Sequence, residues 1–163
     1  MIIYLIGMPG AGKSELGKKL SQVLNYQFID MDEYIEKKAC MFIDEIFNFY
    51  GEEYFRALET NTLKELSNLD NVVISTGGGI IKNKLHKEIM KKGKCIYLKV
   101  PVEILENRVY GTEDIRPLLK TKSISTLYAE RKDLYEYFQD ITIENINLDD
   151  SISQILEELK WRY

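Results

Sequence analysis

At 163 residues the chain has the length of one domain, enough to bury a substantial core. Its 45% hydrophobic and 29% charged residues are those of a soluble globular protein, and no apolar run approaches the roughly 18 residues of a membrane span. With 22 basic against 26 acidic residues, a nucleic-acid footprint spread over the surface is not expected, although local basic clusters can still hold a small anion.

The apolar opening MIIYLIG is too short for a secretory signal and lacks a basic leader, so it reads as a first strand (2–7) of a cytoplasmic protein. GMPGAGKS (7–14) follows it directly, matches G-x-x-x-x-G-K-[ST], and leads into the helical pattern SELGKKLSQVL. Strand before and helix after make this a nucleoside triphosphate site. The glycines let successive backbone N–H groups turn around phosphate oxygens, and the new helix adds its positive end. Gly10, Ala11, Gly12, Lys13 and Ser14 are the candidate nucleotide-binding residues. Lys13 can reach the β- and γ-phosphates, and the Ser14 hydroxyl can ligate Mg²⁺. Glu15, near the place of an α-phosphate, is expected to face solvent.

YQFID (26–30), VVIS (72–75), CIYLKV (95–100) and DITIEN (140–145) have the length and β-branched or aromatic content of further strands. Helical spacing runs between them through EYIEKK, IDEIFNFY, EYFRALETNTLKELSNL, NKLHKEIMKK, VEILENRV, STLYAERKDLYEYF and ISQILEEL. Gly93 suits a helix stop and Pro101 a helix start. The alternation predicts a single α/β domain of three layers, parallel strands covered by helices on both faces. Two stretches break it: 31–61, expected to cap the substrate side, and the polar loop 111–124, expected to act as a lid.

Cys40 and Cys95 have no metal-ligand spacing and read as reduced, small apolar residues. His86, the one histidine, sits among lysines and reads as a solvated helix residue. STGGG (75–79) is more telling: three successive glycines cost chain entropy and suit a place where another molecule approaches the main chain. A phosphate loop alone leaves kinase, switch GTPase and ATPase motor open. No N-K-x-D sequence for reading guanine is present, and the carboxylates nearest to a magnesium shell are Asp30 and Asp32 in FIDMD, provided the first two strands flank a common crevice.

Taken in order, GMPGAGKS, the D-x-D of Asp30 and Asp32, FRALE (55–59), STGGG, RPLL (116–119) and ERKDLY (130–135) resemble the shikimate kinase family over nearly the whole chain. The resemblance implies a P-loop kinase fold with a five-stranded parallel sheet, ATP as co-substrate with Mg²⁺, and shikimate as phosphoryl acceptor. It implies Asp32 on the ring hydroxyls, Arg56 and Arg131 on the substrate carboxylate, and Gly77, Gly78 and Gly79 as the pocket floor. It also implies Asp30 on a magnesium-bound water, Arg108 beside the adenine, and Arg116 on the lid, meeting the phosphate charge. Glu59, three residues from Arg56, can orient it. A proline that the family often carries before the last helix is missing from NINLDD. A related small-molecule kinase such as a gluconate kinase, and an ATP-binding regulatory protein without transfer chemistry, stay open as alternatives. A monomer is expected.

Overall fold

The structure, a computed structural model, describes residues 1–110 and 122–160. Five strands, β1 (Ile2–Ile6), β2 (Gln27–Asp30), β3 (Val72–Ser75), β4 (Lys94–Lys99) and β5 (Ile141–Glu144), form one parallel sheet in the order β2-β3-β1-β4-β5. All residues of β1 and β3 are buried, as strands covered on both faces require, whereas the edge strand β5 alternates buried and exposed positions. The register sets Ser75 beside Leu5 on one side and Asp30 on the other, so the ends of β1, β2 and β3 lie level. β3 separates β1 from β2; the first two strands are therefore not neighbours, and their loops meet over the end of β3.

Seven helices are present among the described residues: α1 (Lys13–Leu24), α2 (Met31–Ala39), α3 (Ile43–Leu66), α4 (Leu85–Met90), α5 (Val102–Tyr110), α6 (Ile124–Phe138) and α7 (Leu148–Lys160). With the five-stranded parallel sheet they make a three-layer α/β/α architecture. α3 joins the two helical patterns read on either side of residue 51. Gly51, at φ 86° and ψ 170°, bends the chain between them, a conformation few other residues adopt. No helix among the described residues is long and apolar enough to cross a membrane.

Three local expectations change. His86 is 1% exposed, because its face of α4 packs on α3 instead of pointing outward with the neighbouring lysines. Cys40 is exposed at the C-terminus of α2, at φ 53°, and is not a core residue; Cys95 in β4 is. Gly93 ends the turn after α4 by approaching β1: a Cβ there would lie 2.4 Å from the Ile2 carbonyl oxygen and 2.8 Å from the Ile2 Cβ. Both obstacles belong to a central strand and cannot swing aside. Gly93→Ala should therefore cost about 1–3 kcal/mol of stability, read as a lower urea midpoint at unchanged m-value.

Candidate active site

The phosphate loop joins β1 to α1 with left-handed backbone at Gly10 (φ 84°) and Gly12 (φ 87°), which only glycine adopts at little cost. Two bonds tie its carbonyl side, and a third joins the residues that make them. Arg108 of α5 donates to Gly10 O (3.1 Å) and to Asn145 O (3.2 Å), and the Asn145 amide donates to Ala11 O (2.7 Å). A Cβ on Gly12 would lie 2.6 Å from that amide nitrogen. Lys13 is buried, its ammonium donating to Gly7 O (2.8 Å) and Met8 O (3.0 Å). Glu15 is exposed, as expected.

Asp30 has two duties. One carboxylate oxygen caps α2 by accepting the Glu33 N–H (3.2 Å), and the other accepts the Ser14 hydroxyl at 2.5 Å. That bond leaves the Ser14 oxygen lone pairs as acceptors. Ser14 and Asp30 are thus adjacent hard oxygen donors, a chemistry that would suit Mg²⁺. Gly12, Lys13, Ser14, Asp30, Asp32, Ser75 and Thr76 line one cavity of about 200 Å³.

The glycines at the end of β3 carry the other half of the site. A Cβ on Gly77 would lie 2.9 Å from an Asp32 carboxylate oxygen and 3.3 Å from Glu59. One on Gly78 would lie 3.1 Å from Pro9 of the phosphate loop and 3.2 Å from an Arg131 guanidinium nitrogen, and one on Gly79 would lie 2.6 Å from both terminal nitrogens of Arg56. Asp32, Arg131 and Arg56, distant in sequence, therefore converge on three successive residues of bare backbone.

Arg56 donates to both Glu59 oxygens (3.1 and 3.3 Å) and more weakly to Glu52 (3.4 Å). With Glu59 only 1% exposed, this is an interior ion pair and not a solvated helix pair. Arg131 is 3% exposed, yet its Nε and one terminal nitrogen have no hydrogen-bond partner among the described residues, and neither does Arg56 Nε. Buried guanidinium donors without acceptors call for an anion.

Sequence reading passed over three contributors. Asn145 continues the inward alternation of Ile141 and Ile143, which was the available signal. Tyr135 lies one turn beyond Arg131; it stacks on Tyr97 (5.1 Å) and donates its hydroxyl to Gly78 O at 2.5 Å. Thr76 holds the Leu5 carbonyl through its hydroxyl (2.7 Å). Arg116, and the expected lid up to residue 121, lie outside the described residues.

A parallel sheet of this order, with a phosphate loop after β1 and a cationic pocket at the end of β3, defines a P-loop kinase of small molecules. Comparison with known proteins gives the family. The family model for shikimate kinase matches residues 9–160. A shikimate kinase of Clostridium botulinum strain 657 is 45% identical over 166 residues, covering 98% of this chain and 97% of its own. A bifunctional shikimate kinase/3-dehydroquinate synthase of Thermotoga maritima is 44% identical over 149 residues, 90% of this chain, which spans 30% of that longer protein. Among solved structures, the shikimate kinase of Acinetobacter baumannii in complex with shikimate superposes with a TM-score of 0.92 at 35% identity, over 99% of this chain and 93% of that one. The chain belongs to the shikimate kinase family.

Burial raises the Glu59 carboxyl to about 7, with Arg56 pulling it down and Asp32 pushing it up. Unfolded, it would ionise near 4.5. Between those values the unfolded chain has released a proton that the folded one keeps, so the contribution of Glu59 to stability falls as pH rises through that window. The urea midpoint of the protein, measured relative to that of Glu59→Gln, should therefore decline from pH 4.5 to 7 and level off above. A constant gap would mean an ordinary carboxyl.

Proposed function

We propose that the protein transfers the γ-phosphoryl group of ATP to the 3-hydroxyl of shikimate. The observation that carries this reading is the placement of Asp32, Arg131 and Arg56 on Gly77, Gly78 and Gly79, with Pro9 of the phosphate loop against the same glycine as Arg131. Shikimate is a ring with a carboxylate at one end and hydroxyls at the other. Arg131 and Arg56 meet the carboxylate with unpaired guanidinium donors, and Asp32, on the Lys13 side, accepts hydrogen bonds from the hydroxyls.

Phosphoryl transfer needs alignment and charge neutralisation more than covalent help. Lys13 exchanges its loop carbonyls for phosphate oxygens, while the loop amides, held inward by the ties at Gly10 and Ala11, bind the rest of the triphosphate. Asp32 orients the attacking hydroxyl and receives its proton. Ser14 and Asp30 would hold the magnesium ion, Asp30 through a bound water, and the ion when bound would neutralise phosphate charge. Arg108 serves the nucleotide side, segment 31–61 caps the acid, and Arg116, in the 111–124 stretch read as a lid, meets the charge on the phosphates. We place the protein in the cytoplasm as a monomer acting on small molecules, without nucleic-acid or membrane partners.

The direct test is ADP release from Mg-ATP with shikimate, quinate, gluconate or nucleoside monophosphates. Shikimate alone should accelerate it strongly. Turnover of gluconate would reassign the acceptor, and a rate indifferent to every acceptor would leave a nucleotide-binding protein without transfer chemistry. Asp32→Asn keeps shape and loses charge, so kcat with shikimate should drop by about 10²–10⁴ while the urea midpoint hardly moves. Parent-like turnover would remove Asp32 from the chemistry.

A further inference from the structure

The single histidine stands outside the groups that face substrate, yet both of its ring nitrogens are engaged inside the protein. His86 Nδ1 lies 2.7 Å from Ile80 O, and Nε2 lies 2.7 Å from the Thr60 hydroxyl. Ile80 follows the glycine floor directly and begins a short 3-10 turn (Ile80–Lys82); Thr60 stands one turn beyond Arg56 on α3. Gly79 immediately precedes Ile80, Arg56 lies one turn before Thr60, and the two face each other so closely that a Cβ on Gly79 would lie 2.6 Å from both terminal nitrogens of Arg56. With no side chain between the Gly79 backbone and the guanidinium, a displacement of that backbone changes where the guanidinium lies.

We propose that His86 is a positioning residue for the carboxylate end of the substrate: by tying the Gly79–Ile80 backbone to α3 at Thr60, it sets how the Arg56 guanidinium lies on the glycine floor. The inference rests on the shikimate reading above.

Proton counting makes the tie sensitive to charge. A carbonyl only accepts, so Nδ1 carries a hydrogen. In the neutral ring Nε2 is then an acceptor, and the Thr60 hydroxyl donates to it. In the imidazolium Nε2 donates instead, and Thr60 turns its hydrogen to the Arg56 carbonyl, 3.0 Å away. Such a back-bond within a helix bends it slightly, here at the turn that carries Arg56. The titratable and charged groups around the ring are Glu52, Glu53, Arg56, Glu59 and Lys64 of α3 and Lys82 of the 3-10 turn. Burial, opposed by the Ile80 carbonyl and aided by the Arg56 and Lys64 charges, holds the ring below its usual pKa and favours the neutral form.

Two variants test this. His86→Asn keeps an amide donor near the Nδ1 position and removes the arm to Thr60; Thr60→Val removes the hydroxyl at nearly constant volume. Each should raise the shikimate KM on the order of fivefold to tenfold, the scale of one misaligned hydrogen-bonded contact, with the ATP KM changed less than about twofold. In the parent, the shikimate KM should also change as pH falls below 6.5, an inflection missing from His86→Asn. An unmoved shikimate KM in both variants, or equal rises in both KM values, overturns the proposal, the latter marking general packing. If His86→Asn fails to fold, Thr60→Val decides alone. A parent inert toward shikimate overturns the substrate reading and this inference together; an active parent with unmoved variants overturns only the inference.

Discussion

Charged side chains gather at the carboxyl end of β3 because the main chain there carries none of its own. Gly77, Gly78 and Gly79 let Asp32, Arg131 and Arg56 lie against the backbone at distances that any Cβ would block. Such crowding of charge is costly, since an interior ion loses hydration that a partner restores only in part. Glu59 offsets part of the Arg56 charge and pays with an ionisation held near neutrality, while Arg131 keeps donors in reserve. The protein interior thus stores an electrostatic deficit whose complement is a small carboxylate.

The sheet converts this local chemistry into a site for two reactants. Because Leu5, Ser75 and Asp30 lie level, the phosphate loop, the glycine floor and the start of α2 rise from one edge, and Pro9 and Arg131 both border the space that a Cβ on Gly78 would fill. α6 adds a second hold, as Arg131 and Tyr135 share one helix face, one presenting charge and the other gripping the Gly78 carbonyl. Floor and walls are therefore braced from different helices.

Strands and most helices were legible in the sequence because apolar period and turn residues are local properties. The phosphate loop was legible for a similar reason, since Gly10, Gly12, Lys13 and Ser14 perform their work within a few residues. Strand order was not: that β3 separates β1 from β2 is a property of the packed sheet. His86 misled because KNKLHKEIMKK is basic on both sides, and which face of so short a helix meets α3 is decided by tertiary contact. Arg56 and Glu59 were found as a pair, but their burial, which turns an ordinary surface spacing into an interior ion pair, depends on the fold. Asn145 escaped because the expected residue near it was a proline, and its work lies in a bond to a loop 134 residues earlier.

That last bond also bears on the order in which the protein matures. The backbone that is to wrap a triphosphate spans residues 7–14, but the amide that holds its Ala11 carbonyl comes 134 residues later, together with the carbonyl that anchors Arg108. A chain in the course of synthesis consequently carries a complete phosphate-binding motif that lacks its brace until Asn145 has been added. Bracing of the phosphate loop therefore waits on the edge strand β5, which Asn145 directly follows.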